Sequence, residues 1–109
     1  MSSKDKLNAA KARLGAFAKT TPALFEGFSK ISKTATREGS FSPAQKELMA
    51  TAVAVSQGCE DCILYHIYAA KRHGADEPAL VEALEVAVEM GGGPAVMYAS
   101  KALDVFRNL

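Results

Sequence analysis

Apolar residues recur at three- and four-residue intervals along nearly the whole chain, the spacing that puts them on one face of an α-helix. Leu7, Ala10, Leu14 and Phe17 form the first such face, with Lys4, Lys11 and Lys19 elsewhere on the wheel, so an amphipathic helix is expected from about Ser3 to Lys19. Thr21 is placed to cap a second helix and Pro22 to occupy its first position, where the missing N–H costs nothing. Leu24, Phe25, Phe28 and Ile31 supply its apolar stripe, expected to be buried and to end by Gly39, and the Ser- and Thr-rich stretch from Lys30 to Ser40 is expected to be a loop. Ser42-Pro43-Ala44-Gln45 combines a capping Ser, a first-turn Pro and a Gln three residues after the cap, which predicts a third helix from Pro43 to about Gly58. The alternation Ala52-Val53-Ala54-Val55 resembles a strand, but alternating Ala is poor strand material and no turn separates it from the capped start. A fourth helix carries Cys62, His66 and Ala69-Ala70 and stops at Gly74, with Lys71, Arg72 and His73 suited to its negative end.

Asp76-Glu77-Pro78 opens a fifth helix, in which Leu80, Leu84, Ala87 and Val88 face inward and Glu82, Glu85 and Glu89 face solvent. Gly91-Gly92-Gly93 breaks it. Pro94 starts the last helix, whose Val96, Ala99, Leu103 and Phe106 repeat at a helical interval. The pattern predicts an all-α fold, a compact bundle of about six helices in a single domain spanning residues 1–109. Twenty alanines agree with this, because Ala loses least on entering a helix and lets helices approach closely.

Thirteen basic against twelve acidic residues give a formal charge of +1, far from the balance of a nucleic-acid binder. The longest uncharged stretch, Leu48 to Cys59, is too short for a membrane span. With no secretory signal at the N-terminus, the expected compartment is the reducing cytoplasm, where two cysteines are more often reactive or metal-binding than a permanent crosslink. Charge is nonetheless uneven. Residues 1–40 carry eight basic and three acidic groups and residues 41–109 five and nine, an asymmetry whose default reading is a solvated face. A chain this small, rich in Ala and poor in aromatics, buries a limited core alone, which makes self-association an expectation.

Candidate chemistry concentrates in Cys59-Glu60-Asp61-Cys62, a C-x-x-C pair at a predicted helix start. Residues three apart there share a face, near enough for a disulfide, and the amides of the first turn favour a thiolate. His66 lies one turn beyond Cys62 on that face and would accept a thiol proton, which makes Cys62 the better nucleophile candidate. Glu60 and Asp61 oppose thiolate formation, so a base is needed. Zinc would use the same atoms, with Cys59, Cys62 and His66 as ligands and His73 or Glu47 as the fourth, but the second knuckle usual in structural zinc sites is missing. Two buried structural cysteines beside a core histidine are the remaining alternative. His73 is read as structural, Phe25, Phe28, Phe106, Met90 and Met97 as packing, and Tyr65 and Tyr68 as packing rather than pocket lining. Glu47, one turn into the third helix, would by itself be only a favourable first-turn charge.

Glu47, eleven residues, Cys59, two residues, Cys62, three residues and His66 together resemble the E-x11-C-x-x-C-x-x-x-H signature of alkylhydroperoxidase D-like proteins in the carboxymuconolactone decarboxylase superfamily. Gly74-Ala75-Asp76, the acidic helix and Met90-Gly91-Gly92-Gly93-Pro94-Ala95 extend the likeness over about residues 41–105. The resemblance implies an all-α fold with the cysteine helix beside the glutamate helix, homo-oligomers that are trimers or assemblies of trimers (hexamers), and an antioxidant enzyme needing neither cofactor nor metal. It implies that Cys62 attacks a hydroperoxide and becomes a sulfenic acid, that Cys59 condenses with it to a disulfide, and that His66, oriented by Glu47, belongs to the relay taking the thiol proton. A lipoyl or thioredoxin-like dithiol partner then resets the pair. Some relatives carry a second His just before the nucleophile, where Asp61 stands here. The branch that decarboxylates a lactone acid lacks the cysteine pair, which argues against that activity. A zinc-binding or redox-sensing module without enzymatic activity is the alternative from another class.

Overall fold

A computed structural model describes residues 1–109, and its architecture is helical throughout: α1 (Ser3–Thr20), α2 (Pro22–Thr36), α3 (Pro43–Gln57), α4 (Glu60–Arg72) and α5 (Glu77–Asn108). Most start and stop signals act as their chemistry predicts, but Thr21, at the start of α2, makes no side-chain cap and donates instead to the Phe17 carbonyl at 3.1 Å. Ser42 accepts from the Gln45 N–H while the Gln45 side chain accepts from the Ser42 N–H, a reciprocal capping box, and Gly58 ends α3 in the left-handed conformation. Ser2 and Asp76 cap α1 and α5 one way only, their side chains accepting from the Asp5 and Ala79 N–H groups.

Five helical elements rather than six follow from the last boundary, where α5 runs on through the glycine break. A straight helix of 32 residues would measure about 48 Å, longer than the 37 Å extent of the molecule. It is in fact folded back on itself. Gly92 has φ 67° and ψ −148°, backbone that only glycine adopts comfortably, and it divides α5 into two arms, 77–91 and 93–108. Arg107 Nε and an Nη donate to the two carboxylate oxygens of Glu77 at 2.9 and 3.0 Å, closing the hairpin at its open end. That guanidinium holds the Glu77 carboxyl below the usual carboxylate range. Lys71 adds a tie by donating to the carbonyl of Phe106 at 2.7 Å.

The core lies where α3, α4 and the α5 arms meet, with Val55, Ile63, Leu64, Ile67, Leu80 and Ala102 fully enclosed. Leu80, Leu84 and Ala87 point inward and the three glutamates outward, as the pattern requires. The second arm is rotated from its predicted face. Ala95, Ala102 and Val105 are buried with Ala99 and Phe106 beside them, whereas Val96 is exposed, because the turn at Gly92 sets the rotation of the arm.

The larger departure is α2. It contacts only α1 and α3, none of its residues is buried, and Leu24, Phe28 and Ile31 are 64, 57 and 66% exposed. Its helix also runs to Thr36, so the loop is shorter than the Ser/Thr-rich stretch suggested. Leu14 and Phe17 likewise leave the core, while Leu7 is buried at the other end of α1. Periodicity reports a helix's apolar face but not the element that covers it, and here the stripes of α2 and of the second half of α1 are left largely uncovered by the bundle. No helix is long and apolar enough to cross a membrane.

Gly92→Ala should destabilise the protein by about 1–3 kcal/mol, the cost of forcing an L side chain into this backbone region. A chemical denaturation midpoint equal to wild type would show that the hairpin turn tolerates another conformation.

Candidate active site

Glu47 comes from the second turn of α3 and His66 from the middle of α4. The Glu47 side chain is 6% exposed, and Oε2 stands 3.1 Å from His66 Nδ1. An ionised carboxylate only accepts, so the imidazole donates through Nδ1–H, which leaves Nε2 as the basic nitrogen. Tyr65 packs edge-on against the ring at 5.4 Å between centroids. Buried Thr51 donates to the Glu47 carbonyl at 2.8 Å, anchoring the turn that carries the acid.

Cys59 caps α4 and Cys62 occupies its first turn, with Cα atoms 5.2 Å apart and the sulfurs joined as a disulfide. The Cys62 N–H donates to Cys59 Sγ at 3.2 Å. The two sulfurs are not equivalent. Cys62, with Asp61, Tyr65 and His66, lines an open cleft of about 610 Å³ whose opposite walls are α1 and α2; Cys59 does not line it. All four residues singled out in the sequence thus lie on the adjoining α3 and α4. No group of three or more His, Cys, Asp or Glu side chains is arranged to hold a metal ion.

Sequence reasoning missed what surrounds these groups. The carboxylates between the cysteines are not free to oppose a thiolate: Arg13 pairs with Asp61 at 2.8 Å, and Glu60 meets Lys6 at 3.3 Å and Lys101 at 3.8 Å. The charge asymmetry is therefore met partly inside the chain, by α1 laid against the start of α4. Phe25 and Phe28, read as packing, instead wall the cleft with Leu14 and Phe17, and Tyr65 lines it too. Tyr68 does pack partly against the core, and exposed His73 ends α4. The unused signal was the continuation of the α1 stripe through Leu14 and Phe17 towards an equally apolar α2.

The sequence pattern of the carboxymuconolactone decarboxylase family matches residues 22–105. An uncharacterized protein of Cupriavidus necator is 46% identical over 106 residues, covering 97% of this chain and 94% of its own. The uncharacterized protein 4 in the cox locus of Paracoccus denitrificans is 36% identical over 100 residues, 92% of this chain and 90% of its own. Among solved structures, a carboxymuconolactone decarboxylase family protein from Legionella pneumophila superposes with a TM-score of 0.92 at 37% identity, covering 96% of this chain and 94% of its own. A Thermotoga maritima protein of that family shares the fold, with a TM-score of 0.82 at 24% identity over 94% of this chain and 87% of its own.

Removing the cation from Asp61 leaves a bare carboxylate next to Cys62. In the reduced protein, Arg13→Gln should move the thiol titration to higher pH by a few tenths of a unit, an effect that shrinks with added salt because the pair is exposed. Ultraviolet thiolate absorbance against pH reads this directly; an unmoved curve would mean that Asp61 does not act on the sulfur.

Proposed function

The chain belongs to the carboxymuconolactone decarboxylase family, and from that premise we propose that it is a thiol peroxidase of the alkylhydroperoxidase D-like kind. The observation that carries this reading is the buried Glu47 carboxylate on His66, one helical turn beyond a Cys59–Cys62 pair of which only Cys62 faces the cleft.

In the proposed cycle the reduced Cys62 thiol gives its proton to the relay headed by His66, and the thiolate attacks the terminal oxygen of a hydroperoxide. The O–O bond breaks, the alkoxide takes up a proton and leaves as an alcohol, and Cys62 becomes a sulfenic acid. Cys59 then attacks the Cys62 sulfur, the S–O bond breaks, and water departs as the disulfide forms. A dithiol of lipoyl or thioredoxin-like type reduces that disulfide by exchange and is itself oxidised. Glu47 is a positioning residue. It holds His66 in the tautomer whose Nε2 takes the proton, and its burial keeps water from competing for that hydrogen bond. Pairing of Glu60 and Asp61 with α1 leaves the first-turn amides of α4 as the nearest uncompensated field on the sulfurs.

We also infer a cytoplasmic homo-oligomer, a trimer or an assembly of trimers, in which a second copy covers the outward face of α2 at Leu24 and Ile31. These side chains lie beside the cleft and do not line it.

Cys62→Ser should abolish dithiol-dependent hydroperoxide consumption, and Cys59→Ser should leave a sulfenic acid that a dimedone probe captures at Cys62. Glu47→Gln should slow turnover by about 10–100-fold, the usual cost of losing the partner that orients a functional histidine, while circular dichroism stays unchanged. Undiminished activity in Cys62→Ser would overturn the assignment. For the assembly, light scattering should find wild type as a trimer or a multiple of it and Leu24→Glu/Ile31→Glu as a smaller species; a monomeric wild type at micromolar concentration would refute it.

A further inference from the structure

The cleft at Cys62 is far larger than hydrogen peroxide needs, and it continues into a second recess of about 370 Å³ along α4. The two share Lys11 and Tyr65. Their chemistry differs. The first is walled mainly by Leu14, Phe17, Phe25 and Phe28, with Arg13, Lys33 and Asp61 also in its lining, whereas the second adds Tyr68, Arg72 and His73 and has no acidic residue in its lining. Lys11 Nζ sits 3.9 Å from the centroid of the Tyr68 ring and the Arg72 guanidinium 5.7 Å from the same centroid, so one aromatic ring has both cations beside it. Neither makes an ion pair within the chain, in contrast to Lys6, Arg13, Lys101 and Arg107.

An apolar compartment at the reactive sulfur joined to a cationic end without counter-ions matches an anionic amphiphile. Resting on the peroxidase reading, we propose that the substrate is a free long-chain fatty-acid hydroperoxide, with its acyl chain between α1 and α2 and its carboxylate at Lys11 and Arg72. Tyr68 lies six residues and Arg72 ten residues beyond Cys62 on α4, which sets the head group about 9–15 Å along the helix from the sulfur. A long acyl chain spans that interval and short alkyl hydroperoxides do not. The two cations take no part in the redox step. They select the substrate by its charge, so they bear on KM and leave kcat alone.

Binding tests the head-group site independently of turnover. By calorimetry on the purified protein, decanoate should bind more tightly than decanol, and Lys11→Gln/Arg72→Gln should weaken decanoate roughly tenfold, as two exposed charge contacts allow, without changing decanol. Equal affinity for acid and alcohol, no binding of decanoate, or decanoate binding indifferent to the double substitution would each overturn the proposal. In turnover with a dithiol reductant, the same variant should raise KM for linoleic acid hydroperoxide while leaving its methyl ester and cumene hydroperoxide unaffected. If wild type consumes none of the three, the peroxidase reading fails, and the decanoate measurement still decides the anion site. If cumene hydroperoxide is consumed and the linoleic acid and ester forms are indistinguishable in both proteins, the peroxidase reading stands and this inference falls.

Discussion

A carboxylate removed from water must find a partner or give up its charge, and in this protein Glu47 has one side chain within reach, His66. That contact is the constraint around which the rest is arranged. It joins the second turn of α3 to the middle of α4 and fixes the rotation of both helices about their axes. The residues beside the acid on α3, Thr51, Ala54 and Val55, must then face Ile63 and Ile67 of α4, and these are among the most enclosed side chains in the molecule. Because Cys62 is one turn before His66, fixing the ring also fixes where the sulfur emerges. A buried polar contact is a poor way to gain stability, since well-packed apolar groups of the same shape would serve as well. What it supplies is a single orientation for the imidazole.

Much of this was legible in the chain because the information is local. Ser42 with Gln45, Gly58, Asp76 and Gly91-Gly92-Gly93 act within a few residues of themselves, and the helix boundaries they announce are found within a residue or two. The Glu47–His66 pairing, nineteen residues apart, was legible only through the family resemblance that the E-x11-C-x-x-C-x-x-x-H pattern carries. The hairpin within α5 shows the limit. The glycines announce a break, but not that the second arm returns far enough for Arg107 to meet Glu77 across thirty residues, nor that the turn at Gly92 rotates the arm so that Val96 faces outward.

Less legible was the destination of apolar surface that the bundle does not use. The stripe on α2 is as regular as any in the chain, yet α3, α4 and the α5 arms already enclose a core without it. Phe25 and Phe28 instead face Leu14 and Phe17 across an open space. A hydrophobic period has the same form whether it packs against a helix, a second copy or a ligand, because each offers apolar atoms at the same distance. Only the position of α1, held against α4 by Arg13 and Lys6, distinguishes these outcomes.

Those two ion pairs also reconcile opposing demands on one helix end. The start of α4 is favoured by acids in its first turn, which complement the positive end of the helix, and Glu60 and Asp61 supply them. A thiolate at Cys62 asks for the opposite, since it would occupy the same positive field and be repelled by both carboxylates. Replacing the acids with neutral residues would serve the sulfur at the expense of the helix start. Bringing cations from a distant segment serves both, because each carboxylate keeps its place near the first-turn amides while a cation within 4 Å of it opposes its field. The excess positive charge of the first forty residues, which by itself reads as a solvated surface, thus does part of its work at the cysteines.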